Sequence, residues 1–152
     1  MKVCRDQSGF TLLEMVCALA IVALLLATCL PAFPLKTSRP MLEAYALQTA
    51  ALLKADRNAA IRRGDTVATE LNPLARTIRS GASGRLLQLP RDVGFRAMVA
   101  NQCGARTNGM AIQFLPSGMS CGGTIYLARP GITLEVRITW LTGGVEIVPG
   151  SA

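Results

Sequence analysis

No histidine occurs anywhere in the sequence. That absence removes Ser-His-Asp and Cys-His catalysis, together with the imidazole ligands usual for catalytic zinc. Acidic residues are also scarce, nine against 16 basic ones. They are dispersed, so no carboxylate pair suggests acid–base chemistry and no calcium loop can be drawn. Walker A and dinucleotide fingerprints are absent. The formal net charge is +7, yet the basic residues stand singly apart from Arg62-Arg63. No Lys/Arg run marks a nucleic-acid arm, and a solvated basic surface explains the charge equally well. Gly118-Met119-Ser120-Cys121-Gly122 spells the G-x-S-x-G nucleophile elbow in letters. The elbow needs a strand-to-helix turn and a histidine base, and here the next segment reads as a strand.

What is present is apolar and unevenly placed. Hydrophobic residues make up 51% of the 152 residues, and the mean hydropathy is +0.38. The excess lies near the N-terminus, and the length suits one domain. From Phe10 to Leu35 the only charged residue is Glu14, and Met15 to Leu30 is almost wholly apolar. About 20 such residues span a bilayer as a helix. Lys2 and Arg5 precede the run, which keeps that end cytoplasmic and sends the remainder across. A secretory signal peptide, with Ala27-Thr28-Cys29 imitating its cleavage site, and a plain single-pass anchor are the alternatives. Neither explains Glu14, because a carboxylate inside a membrane segment costs about 2.5–3.5 kcal/mol on insertion scales.

Gly9-Phe10-Thr11-Leu12-Leu13-Glu14, followed by the apolar run and Pro31, resembles the type IV prepilin signature. The resemblance implies that a membrane-embedded prepilin peptidase cuts between Gly9 and Phe10 and then N-methylates Phe10. It also implies a filament-assembly role for Glu14. A cleaved chain carries a positive amine on Phe10, and Glu14 of one subunit can pair with the Phe10 amine of a neighbour. Such a pair offsets the desolvation of both groups and rewards docking in register.

Pro31, Pro34 and Pro40 fall close together, and proline removes a helix hydrogen bond. A kink or melted stretch is expected between Pro31 and Pro40, with a helix restarting at Ser38-Arg39-Pro40. Met41 to about Arg63 reads as that helix. Leu42, Tyr45, Thr49, Leu52 and Ala59 trace its core face, and Lys54, Arg57 and Arg62 lie opposite. Gly64-Asp65 ends it. Thr66–Leu71 then alternates, and Ser80-Gly81-Ala82-Ser83-Gly84 reads as a flexible connection. Short strands are expected at Leu86–Leu89, Val93–Val99, Met110–Leu115, Thr124–Ala128, Ile132–Trp140 and Val145–Val148. In the fifth of these, Leu134, Val136, Ile138 and Trp140 read as the buried face and Thr133, Glu135, Arg137 and Thr139 as the wet one. Thr142-Gly143-Gly144 suits a hairpin turn.

The expected fold is therefore α+β: an N-terminal transmembrane helix and a following helix packed on a C-terminal antiparallel β-sheet domain. The boundaries read as a cleaved leader at 1–9, a transmembrane and assembly helix at 10–33, a linker and periplasmic helix at 34–65, and a β-rich periplasmic domain at 66–152. Of the five cysteines only Cys103 and Cys121 fall in that distal domain. Outside the cytosol two cysteines suggest a disulfide, with two free buried thiols as the alternative.

The distal order Ile112-Gln113-Phe114-Leu115-Pro116-Ser117-Gly118, Gly122-Gly123-Thr124-Ile125, Ile132–Ile138 and Thr142-Gly143-Gly144-Val145 resembles the GspH/FimT branch of pilin-like proteins. That resemblance implies a minor pseudopilin at or near the tip of the type II secretion pseudopilus, with no enzyme activity, cofactor or metal. The implied partners are the prepilin peptidase, other pseudopilins or minor pilins, and inner-membrane lipid. A FimT-like minor pilin in pilus assembly or DNA uptake is the alternative. After Leu30 the chain has 14 Lys/Arg and seven Asp/Glu, and Arg76, Arg79, Arg85, Arg91 and Arg96 are candidates for a DNA patch. DNA is possible but not favoured, because Gly84-Arg85-Leu86-Leu87 lacks the second arginine of the Gly-Arg-x-Arg motif of DNA-binding relatives.

Overall fold

A computed structural model describes residues 11–29, 37–103, 106–107 and 109–150. The chain divides into two units, Met1–Leu35 and Lys36–Ala152.

The first unit holds helix α1, Leu12–Cys29. Its apolar side chains point outward on every side. Leu12, Leu19, Leu24 and Leu26 are all more than 60% exposed. A helix apolar all round needs lipid or protein around it. Among the described residues no helix is long and apolar enough to cross a membrane. The 18 residues of α1 rise about 27 Å, slightly less than a hydrocarbon core of about 30 Å. The described helix alone therefore falls short of the span expected at 10–33. Phe10 and Leu30 to Phe33, which would lengthen it, lie outside the described residues, as do Pro31 and Pro34 of the expected kink.

In the second unit helix α2 runs from Arg39 to Arg63. Ser38 caps it, its hydroxyl accepting the Met41 N–H at 3.4 Å, and Pro40 occupies the first turn, where a missing N–H is harmless. Arg39 pairs with Glu43 one turn on, at 3.0 Å. Gly64 closes the helix in the left-handed region at φ 65°, a conformation that disfavours a side chain. The buried stripe is Leu42, Ala46, Thr49, Ala50, Leu52, Leu53, Asp56, Ala59 and Ala60, and Tyr45 is half-buried.

Ten strands follow, all paired antiparallel. One sheet has the order β3 (Leu86–Gln88), β2 (Thr77–Arg79), β1 (Val67–Asn72), β7 (Ala111–Phe114). The second has β10 (Val145–Pro149), β9 (Ile132–Ile138), β8 (Gly123–Arg129), β4 (Gly94–Val99). A small hairpin pairs β5 (Gln102–Cys103) with β6 (Arg106–Thr107). Leu42 and Leu53 of α2, Ile78 and Ile112 of the first sheet, and Ile125, Leu127 and Val136 of the second form one core. Burying each of these side chains contributes about 1.5–3 kcal/mol. The α+β expectation holds, with β2, β5 and β6 added.

Two expectations need correction. Trp140 is 62% exposed, because β9 ends at Ile138 and the chain turns before reaching it. Glu135, expected on the wet face, is buried at 4% exposure beneath its neighbours on that face.

Candidate filament-assembly site

Gly9 and Phe10, the expected cleavage and methylation residues, lie outside the described residues. The described part of the motif begins at Thr11, which caps α1. The Glu14 N–H donates to Thr11 Oγ1 at 3.3 Å and to the Thr11 carbonyl at 3.0 Å. The Thr-x-x-Glu spacing is that of a capping box, and the Glu14 carboxylate lies in the first turn, where the helix dipole favours negative charge. Among the described residues Glu14 has no ion-pair partner. The free carboxylate suits an external cation, and the capping spacing was legible in the sequence beside the membrane argument.

The second unit is tied to its own entry point. The Thr37 N–H donates to Asp92 Oδ2 at 2.5 Å, the Thr37 hydroxyl to Asp92 Oδ1 at 2.9 Å, and Arg129 Nη1 to the Thr37 carbonyl at 2.6 Å. The Thr37 N–H, then its hydroxyl, and more weakly the charge of Arg129, hold the Asp92 carboxyl below its ordinary value. All three polar groups of Thr37 are thereby fixed where the chain enters the domain.

Asp56 is fully buried on α2. It accepts bonds from the Thr69 hydroxyl at 2.6 Å, the Ser80 hydroxyl, the Gly81 N–H at 3.1 Å and the Ala82 N–H at 3.2 Å. The segment Ser80–Gly84, expected to be flexible, is instead wrapped around this carboxylate, and the Gly84 N–H closes it onto the Ser80 carbonyl at 2.9 Å. Arg57, expected on the outer side of the helix, is half-buried. Its Nε donates to the carbonyls of Gly118 at 3.0 Å and Thr142 at 3.1 Å, joining α2 to two loops.

Cys103 and Cys121 face each other with Cα atoms 5.5 Å apart, inside the range a disulfide requires. Ser120 is buried between strands. Its N–H donates to the Trp140 carbonyl and its hydroxyl accepts the Gly122 N–H, so the G-x-S-x-G letters form no elbow. The five arginines considered for a DNA patch are divided. Arg79 on β2 of the first sheet lies 3.9 Å from Glu70, while Arg96 stands on β4 of the second over the Tyr126 ring.

Residues 4–30 match the prokaryotic N-terminal methylation motif family. Beyond that segment, type II secretion system protein H of Xanthomonas campestris pv. campestris is 30% identical over 145 residues, covering 95% of this chain and 85% of the relative. The chain belongs to the protein H family of type II secretion systems, a GspH-like branch of the type IV pilins. Solved structures of this fold agree. The minor pseudopilin EpsH of the Vibrio cholerae type II secretion system superposes with a TM-score of 0.56 at 12% identity, covering 70% of this chain and 95% of that one. The type IV minor pilin FimU of Pseudomonas aeruginosa also gives 0.56, at 17% identity, covering 74% and 92%. Equal likeness to a secretion and a pilus protein means that the fold is common to both. The match along the sequence places the chain with protein H.

Proposed function

We propose that this protein H family member is a minor pseudopilin, a structural subunit at or near the tip of the type II secretion pseudopilus that supports protein export across the outer membrane. The 30% identity across nearly the whole chain carries this reading. It works by contact with other pseudopilins and performs no bond-making chemistry of its own.

Several steps follow from it. The prepilin peptidase cuts after Gly9 and methylates Phe10. Before assembly the apolar segment anchors the chain in the inner membrane, with the N-terminus cytoplasmic and the domain from Lys36 onward periplasmic. Glu14 then pairs with the Phe10 amine of a neighbouring subunit. The absence of a cation at Glu14 among the described residues supports that role. In the oxidising periplasm Cys103 and Cys121 are bonded, as their spacing allows.

The test is chemical cross-linking in native membranes, with the cross-linked chains identified by mass spectrometry. Secretion pseudopilins are the expected neighbours. Exclusive capture of type IV pilus subunits would overturn the reading in favour of a FimT-like minor pilin.

A further inference from the structure

The outer face of the second sheet carries a hollow that the filament reading does not use. Antiparallel register aligns Arg96 of β4, Tyr126 of β8 and Glu135 of β9 in one row across that face. Beside them Gly94, Ala128 and Thr133 form the next row, whose small side chains leave a cavity of about 430 Å³. That volume is near the lower end for small-molecule sites, roughly 300–1,000 Å³.

Four polar groups of these rows are not used by the fold. The Glu135 side chain is 6% exposed, and Arg137 binds only its Oε2, through Nη2 at 2.7 Å and Nε at 2.9 Å. Its Oε1 accepts no bond among the described residues and belongs to a residue lining the hollow. Arg96 lies 5.9 Å from the centroid of the Tyr126 ring and makes no hydrogen bond or ion pair among the described residues. The Tyr126 hydroxyl reaches only the Met98 sulfur at 3.7 Å, a weak acceptor. The Thr133 hydroxyl has no bond of its own among the described residues.

A carboxylate oxygen held nine-tenths out of water is costly to leave without a donor. The charges around it select the ligand. Arg96 and Arg137 repel an added cation, and the Glu135 carboxylate repels an anion at close range. A neutral group with hydroxyls can donate to Glu135 and accept from Arg96 at once. We infer that this hollow binds a neutral sugar ring, one hydroxyl donating to Glu135 Oε1 and another accepting from the Arg96 guanidinium.

This inference is independent of the filament reading, and its failure would leave that reading intact. The full chain, in a detergent without a sugar head group, is titrated by calorimetry with an N-acetylglucosamine trimer and separately with cellotriose. Binding of either supports the site, and the preference separates a cell-wall-like glycan from a plant-like one. Arg96→Ala removes an exposed group without disturbing the core and is expected to weaken binding about tenfold or more. Glu135→Gln is expected to act in the same direction, whereas Arg79→Ala on the other sheet leaves binding unchanged. No binding of either sugar, equal binding by Arg96→Ala, or binding only of a neutral Asn/Gln peptide would overturn the proposal.

Discussion

Burying Asp56 takes a carboxylate out of water with no cation bonded to it among the described residues, so its stability depends on the four donors around it. Asp56→Ala strands the Thr69 and Ser80 hydroxyls and two backbone N–H groups. We expect a loss of about 3 kcal/mol or more, read as a lower midpoint in urea or thermal unfolding. Asp92 gives a prediction in pH. Its carboxyl is held below the ordinary value of 3.8. A depressed folded value means that its stabilisation is full above the unfolded pKa and is lost as pH falls through the folded one. Asp92→Asn should therefore be less stable than the parent at neutral pH, and the two should converge in strong acid. Unfolding midpoints that stay equally far apart at all pH values would contradict the clamp at Thr37. At Glu14 the expected result concerns assembly. Glu14→Ala leaves the Thr11 cap and the peptidase cut in place, so mass spectrometry should find a processed N-terminus starting at Phe10. Incorporation into sheared filaments should be lost. Normal incorporation would remove the pairing role.

Among the elements, the turn after β2 is the most constrained. A side chain at Gly81 would be driven into the carbonyl oxygen of Ala68 on β1. Gly81→Ala must shift the whole Ser80–Gly84 turn off Asp56, and should destabilise by about 2–3 kcal/mol in chemical denaturation. Here the limits of sequence reasoning have a physical cause. The run of Ser and Gly is the composition of a mobile linker, and nothing local shows that a carboxylate 24 residues earlier organises it. Arg57 was misplaced for a related reason. Helical period set it opposite the core stripe, but its long side chain reaches around to two loop carbonyls. Trp140 continued the alternation of β9 on paper, yet the hairpin closes through Thr139 and Gly144 and leaves the indole outside. By contrast, the Glu14 capping box, the core face of α2 and most of the strands depend on spacings of two to four residues, and these were legible.

At the scale of the molecule, the sequence separates an apolar segment from an α+β domain, and the structure divides the chain between residues 35 and 36. The fold of the second unit suits a secretion pseudopilin and a pilus pilin equally, since both give a TM-score of 0.56. Function therefore depends on the protein H match and on the N-terminal motif together. Neither demands chemistry from the domain. What it needs is a rigid body, which the Asp56 network, the Arg57 bridge and the Thr37 clamp provide. The net charge of +7 is distributed over separate faces rather than gathered into one groove, so it does not by itself argue for nucleic acid.

The most direct measurement is an in-frame deletion in the native bacterium, with exoproteins quantified in the culture supernatant beside pilus-dependent motility and DNA uptake. Export should fall and return when the intact chain is supplied, while motility and uptake persist. Unchanged export with loss of motility or uptake would contradict the account and assign the chain to a pilus.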